Sequence, residues 1–229
     1  MTMRTTMKPT VLRDVPLRAI GLFVSTLLTS MLLASCATAP SSQALDQAAQ
    51  DMVKASFRDQ GIAKVDRLTQ DDLQRACSGD TPPAPEVAKR LEAAEAATIQ
   101  WPVGGAYIGD WREGEKLAQN GRGMTWTDPA GVPAGGNCYN CHQLDRAEIS
   151  YGTIGPSLYQ YGKLRGVGDP AAPASAEIVR YTWGKLWNAK ATNACSNMPR
   201  FGHAGVLTPP QIRDLMALLL DPASPVNAK

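Results

Sequence analysis

The 229-residue sequence has few of the side chains on which metal chemistry and redox chemistry depend. It holds only two histidines, His142 and His203, and five cysteines. It has one C-x-x-C pair and no H-x3-H pair, so a zinc site would have to collect its ligands from scattered residues. Alternating strand patterns, internal repeats and low-complexity domains are also absent. These absences favour an all-α protein and argue against β-rich and repeat architectures.

The chain also lacks a concentration of basic residues. Its formal net charge is +2, but residues 1–35 contain four basic side chains and one acidic side chain. The remainder holds 19 basic and 20 acidic residues, a net charge of −1. A protein that binds nucleic acid needs a clustered basic surface. We therefore predict no nucleic-acid partner.

The longest uncharged apolar run, residues 19–34, is too short for a typical membrane-spanning helix. It has 16 residues, whereas a span needs about 20. Because it follows a basic segment and precedes small residues, it indicates an export signal. The sequence Leu33-Ala34-Ser35-Cys36 matches the bacterial lipobox. We therefore predict a signal peptide over residues 1–35, a lipid on Cys36 and a membrane-tethered protein in the periplasm.

Two alternatives to lipidation stay open. Ordinary signal cleavage at residues 37–39 is one, although Pro40 disfavours it, and an uncleaved anchor helix is the other. Each alternative places the folded part outside the cytoplasm.

Residues 138–142 carry the most specific pattern, Cys138-Tyr139-Asn140-Cys141-His142. C-x-x-C-H is the attachment signature of a c-type haem, in which each thiol bonds one vinyl group and the histidine binds the iron. We predict one covalent haem c on Cys138 and Cys141, with His142 as an axial iron ligand. A thioredoxin-like dithiol would follow a strand, but a Gly/Pro loop precedes this motif. A zinc site would have to recruit Cys77, Cys195 and His203.

The second axial ligand is sought among the methionines that follow the signal segment. These are Met52, Met124, Met198 and Met216. Met198 lies 56 residues beyond His142, and Pro199 disfavours helical geometry there and stiffens the loop. Met216 belongs to an apolar helical stripe, which favours a core role. We predict Met198 as the ligand, with His203 or an open site as the alternatives.

Other residues are expected to support the haem. Pro156 lies 14 residues after His142, in a Gly-Pro-Ser-Leu segment that also contains Leu158. The Pro156 carbonyl could accept the imidazole N–H and orient the ring. A plain turn explains the same spacing. Arg200 is one of three cations that could meet the haem propionates, with solvent exposure as the default expectation; the others are Lys163 and Arg165.

Cys77 and Cys195 remain after the haem and lipid cysteines are assigned. In an oxidising compartment they form a candidate disulfide between an N-terminal extension and the haem domain. The alternative is two separate buried thiols.

Helical patterns divide the mature chain into a helical extension, residues 36–100, and a haem domain, residues 101–229. We predict helices near residues 69–79, 86–99, 110–120, 173–189 and 208–221. The first would open on a capping box at Thr69, and Thr208 would cap the last. One helix before the haem motif, one after it and one at the end are typical of the class I cytochrome c fold.

Residues 52–226 resemble the SoxX family of monohaem cytochromes from the SoxAX sulfur-oxidation complex. The matching segments are ASFRDQG at 55–61, GRGM at 121–124, IGPSLY at 154–159, CSNMPRFG at 195–202 and LDP at 220–222. The lipobox differs from the plain secretory signal expected of a soluble subunit.

This resemblance implies a heterodimer with a dihaem or monohaem SoxA-like cytochrome. Such a complex, a cysteine S-thiosulfotransferase, oxidatively joins thiosulfate to a cysteine of the carrier SoxYZ, with its reaction site on SoxA. The present chain would then hold no catalytic residue and would pass electrons to a small cytochrome c. The alternative is a membrane-tethered electron carrier for a different periplasmic oxidoreductase.

Overall fold

The computed structural model describes residues 39–228, which fall into two compact units divided after Ser56. The described part of the first unit contains one helix, α1, Ser42–Ser56, whose side chains are exposed. Cys36 and the predicted signal peptide lie outside the described residues.

The described part of the second unit, residues 57–228, contains five α-helices joined by long loops with short 3-10 turns. The helices are α2 Asp72–Cys77, α3 Pro85–Ala96, α4 Trp111–Gln119, α5 Ala176–Trp187 and α6 Pro209–Leu220. Between residues 39 and 228 there is no β-strand, only an isolated bridge from Gln60 to Ala63. The predicted all-α class is confirmed. No helix in this range has both the length and the apolar character needed to cross a membrane.

Capping boxes open the second and the last helix. Asp71 accepts a hydrogen bond from the Gln74 N–H at 2.7 Å, and the Gln74 side chain accepts one from the Asp71 N–H at 2.9 Å. α2 therefore begins after Asp71 instead of Thr69, because a carboxylate caps the positive end of a helix more strongly than a hydroxyl. Thr208 caps α6 as the sequence predicts, and Gln211 completes the capping box.

The centre of the core is the crossing of α4 and α6. A Cβ atom on Gly114 would come within 2.2 Å of the Asp214 carbonyl oxygen, so only glycine permits this approach. The Gly109 N–H donates to the Arg213 carbonyl at 2.9 Å and fixes the register of the two segments. α6 is the most buried helix of the set and contributes Ile212, Leu215, Met216, Ala217, Leu218, Leu219 and Leu220 to the core.

α5 adds an aromatic layer. Trp183 stacks on Trp187 with ring centroids 6.0 Å apart, and Tyr107 meets Trp183 edge-on at 5.7 Å. The Trp183 indole N–H donates to the Gln100 carbonyl at 2.9 Å. The segment before α4 is therefore tied to α5.

Residues 57–100 belong to the same compact unit as the rest of the chain to its end. α3 packs against the turn at residues 189–191, and a disulfide joins Cys77 to Cys195 across 118 positions. The compact unit thus includes most of the segment 36–100 that the sequence pattern assigns to an extension.

Candidate functional site

The C-x-x-C-H motif forms a tight turn fastened to the end of α4. Cys138–Asn140 is a 3-10 turn, and the Cys138 carbonyl accepts hydrogen bonds from the N–H groups of Cys141 at 3.1 Å and His142 at 2.9 Å. Just before it, the Gly136 N–H donates to the Leu117 carbonyl at 2.8 Å. Two thiols and one imidazole therefore project from a single anchored turn.

Cys138 and Cys141 are not bonded to each other. Burial raises the pKa of the Cys138 thiol to about 12, so this thiol is protonated at neutral pH. The disulfide occupies the two cysteines that a zinc site would have to recruit. Within residues 39–228, no three His, Cys, Asp or Glu side chains are grouped so that they could hold a metal ion.

The imidazole of His142 is oriented by the segment that follows it. Its Nδ1 lies 2.7 Å from the Pro156 carbonyl oxygen, which is an acceptor only, so Nδ1 carries the proton. The lone pair is then on Nε2, which has no hydrogen-bond partner among the described residues. This is the tautomer in which a histidine binds a metal through Nε2 while its other nitrogen is held by a carbonyl.

Gly155 allows this arrangement. A Cβ atom there would lie 2.1 Å from His142 Cε1 and 2.5 Å from Nδ1. The Gly155 N–H donates to the Cys141 carbonyl at 2.8 Å, and the Leu158 N–H donates to the Gln143 carbonyl at 2.7 Å. The segment 152–158 therefore covers the back of the imidazole.

Met198 and the alternative axial ligands have distinct environments. Met198 is partly buried and packs against the core cluster, as do Leu158 and Cys138. Met216 has no exposed surface and lies in the core itself. The exposed His203 directs Nδ1 to the Thr98 hydroxyl at 3.1 Å.

Arg200 differs from the default expectation of an exposed cation. Its side chain is only 15% exposed and lies between Asp71, at 2.6 Å, and Glu95, at 3.3 Å. Burial acts to lower the pKa of Arg200, but the interactions with the two carboxylates outweigh it, so the pKa of Arg200 is raised. Its partners are 129 and 105 positions away, so no local pattern could have identified them. Lys163 and Arg165 are exposed.

One buried donor has no acceptor. Trp187 is 4% exposed, and its Nε1–H has no hydrogen-bond partner among residues 39–228. Buried polar groups are almost always paired, because leaving one unpaired costs about 1–3 kcal/mol. An additional group with an acceptor atom would satisfy this donor.

These features define a helical protein whose central loops carry two free thiols and an oriented imidazole. No protein-family model matches the chain. An uncharacterized lipoprotein of Aquifex aeolicus (strain VF5) is 37% identical over 198 residues, which cover 82% of this chain and 90% of the relative. The chain belongs to the same family as that lipoprotein.

Proposed function

We propose that this chain is a monohaem c-type cytochrome that transfers electrons in the periplasm. Cys138 and Cys141 would hold the haem covalently, and His142 and Met198 would bind the iron. The hydrogen bond from His142 Nδ1 to the Pro156 carbonyl is the observation that carries the proposal, because it prepares Nε2 for a metal. When bound, such a haem accepts and releases one electron at a time.

Two further observations support the fit of a haem to these residues. The thiols of Cys138 and Cys141 are unpaired, although Cys77 and Cys195 are joined. The orphaned indole N–H of Trp187 is a buried donor that a carboxylate of the cofactor would satisfy. Both observations fit a haem that is bonded to the two thiols and that directs a carboxylate to Trp187.

The helix arrangement supports a class I cytochrome c fold with an N-terminal extension. α4 precedes the C-x-x-C-H turn, α5 follows it, and α6 is the last helix of the described residues and crosses α4 at Gly114. The motif turn is bonded to the end of α4 through Gly136. A first and a last helix in close contact beside the attachment turn are the arrangement expected of that fold.

Filled axial positions on both sides of the iron would leave no site for a substrate, which favours electron transfer over catalysis. With the resemblance to the SoxX family, we infer an electron-transfer subunit of a SoxAX-type complex. The partner subunit would join thiosulfate to the SoxYZ cysteine, and this chain would pass the electrons to a small cytochrome c. A methionine ligand suits that direction, because it raises the potential of a haem iron.

The N-terminus supports attachment to a membrane. The relative from Aquifex aeolicus is named a lipoprotein, and Cys36 lies in a lipobox. We propose a lipid anchor at Cys36. Membrane attachment also favours the second candidate function, a tethered electron carrier for a different periplasmic oxidoreductase.

The first experiment is mass spectrometry of the protein matured in cells that attach haem. We expect the mass of one haem on the peptide that contains Cys138 and Cys141, and a Cys138→Ser/Cys141→Ser variant without it. A Cys77→Ser/Cys195→Ser variant is the matched control and should retain the haem. Unmodified thiols at both positions in the mature protein would refute the proposal.

A second experiment separates the two candidate functions. The tagged full chain is isolated from thiosulfate-grown cells, and the haems in whatever co-purifies are counted. A stable complex with additional haem and thiosulfate-dependent reduction supports the SoxAX-type role. A lone monohaem protein that thiosulfate leaves oxidised supports the tethered carrier.

A further inference from the structure

Met198 lies in a segment without regular helix, residues 193–203, which we call the ligand segment. The Met198 N–H donates to the Ser196 hydroxyl at 3.2 Å, and the Ser196 carbonyl accepts from Lys190 Nζ at 2.6 Å. These contacts are local and few. A loop held only by them would not fix a thioether to the accuracy that an iron ligand needs.

The end of the ligand segment is held by α5, because the Gly202 and His203 N–H groups both donate to the Trp187 carbonyl at 3.1 Å. The part around Met198 is held by α3, by the N-cap residue of α2 and by Cys77 at the end of α2.

The Arg200 guanidinium forks between two carboxylates, with Nη2 2.6 Å from Asp71 and Nη1 3.3 Å from Glu95. Glu95 is itself fixed, because the fully buried Asn188 donates to its Oε2 at 2.6 Å. We call Asp71, Glu95 and Arg200 the ion cluster.

Two more ties lie on the other side of Met198. Cys195 is bonded to Cys77, at the end of α2. The neighbouring Ala194 N–H donates to the Glu92 carboxylate, on α3, at 3.0 Å. Met198 is therefore bracketed by attachments at positions 194, 195 and 200, each of which ends on a residue between 71 and 95.

We propose that the ion cluster is a positioning device for the iron ligand Met198. This inference rests on the proposed function, in which Met198 binds the haem iron. No hydrogen bond or ion pair among the described residues joins Asp71 or Glu95 to Met198, so their effect passes through Arg200, which lies two positions beyond the ligand. Residues 57–100 are thereby part of the haem site, although they supply no ligand.

The size of the effect follows from the contacts. Removing a hydrogen bond to a charged group changes the equilibrium constant of the process that it stabilises on the order of tenfold. Here that process is the positioning of Met198 on the iron. Glu95 is 13% exposed and Asp71 is 41% exposed. Solvent screens the more exposed pair, so Glu95 should matter more than Asp71.

The test uses the full-length ferric protein with its haem and titrates it with imidazole, which competes with Met198 for the iron. Glu95→Gln should raise the apparent affinity for imidazole about tenfold and weaken the near-red absorption of the sulfur–iron bond. Asp71→Asn should do the same to a smaller extent. Arg200→Lys keeps the positive charge but loses the forked guanidinium. Its affinity for imidazole should therefore lie between those of the wild type and Glu95→Gln.

Matched controls come from the same helices. Glu86→Gln removes a carboxylate from α3 that is paired with Lys89 at 3.5 Å. Asp72→Asn removes one from α2 that is paired with Arg75. Both pairs are exposed to solvent, and neither is bonded to the ligand segment, so both variants should match the wild type in imidazole affinity.

The outcomes distinguish this inference from the proposed function. A wild-type protein without covalent haem or without the sulfur–iron band overturns both. A wild-type protein with the band whose Glu95→Gln and Asp71→Asn variants behave like the two controls overturns only the positioning role. If Glu95→Gln does not fold, Asp71→Asn provides the same test. A variant of either residue that lowers the thermal midpoint of unfolding without changing the imidazole affinity contradicts the proposal.

Discussion

Loss of the Cys77–Cys195 disulfide should destabilise the protein strongly, because the bond closes a loop of 118 positions. The chain-entropy relation gives about 5 kcal/mol for a loop of that length at 25 °C. Native disulfides typically contribute about 2–5 kcal/mol when measured by removal. We expect Cys77→Ser/Cys195→Ser to lower the free energy of unfolding by an amount within that range. Such a loss multiplies the unfolding equilibrium constant at least about thirtyfold.

The assay is equilibrium unfolding in urea, followed by both far-UV circular dichroism and tryptophan fluorescence. Wild-type protein treated with a thiol reductant should acquire the lower midpoint of the double-serine variant, and the variant itself should not respond to the reductant. Equal midpoints for oxidised wild type, reduced wild type and variant would show that this bond does not constrain the unfolded chain. A variant that is destabilised while reduced wild type is not would assign the effect to the serines instead.

Three further predictions follow from individual contacts. Gly155→Ala should displace the His142 imidazole, since the added Cβ would overlap the ring, and the visible spectrum of the mature protein should then report a changed axial ligand. Gly114→Ala should lower the free energy of unfolding by about 1–3 kcal/mol through overpacking against Asp214, measured by thermal or urea unfolding. Burial acts to raise the pKa of Asp71, but its hydrogen bonds and the cation at its side lower it below the ordinary 3.8. Its contribution to stability is therefore present at neutral pH and is lost as the pH falls through the folded-state pKa, so Asp71→Asn should show a flatter decline of stability in acid than the wild type.

Local sequence signals predicted the helices well. α4 and α6 lie close to the ranges expected from apolar spacing and capping residues, and α6 opens at Thr208 as predicted. The predicted helix at residues 173–189 became a 3-10 turn, Pro173–Ser175, followed by α5. The cap of α2 was displaced from Thr69 to Asp71, because two overlapping capping patterns occur there and periodicity does not choose between them.

Sequence patterns could not predict the contacts between residues that lie far apart in the chain. The C-x-x-C-H spacing and the position of Pro156 are local features, and they led to residues that meet in the structure. The pairing of Arg200 with Asp71 and Glu95 joins segments more than 100 positions apart. A charged residue in a loop is usually solvated, so only the folded chain reveals that this one is nearly buried.

The two proposed iron ligands are held in different ways. His142 is oriented by residues within 14 positions, through the Pro156 carbonyl and the close approach of Gly155. In our proposal, Met198 is positioned by residues 71–95, which are bonded to its segment across more than 100 positions. Substitutions in residues 57–100 should therefore disturb the methionine side of the iron and spare the histidine side. Among the described residues, no backbone hydrogen bond joins residues 57–100 to the 152–158 segment behind the imidazole. If the two sides of the iron respond differently, residues 57–100 set the strength of the bond from Met198 to the iron without altering the bond from His142.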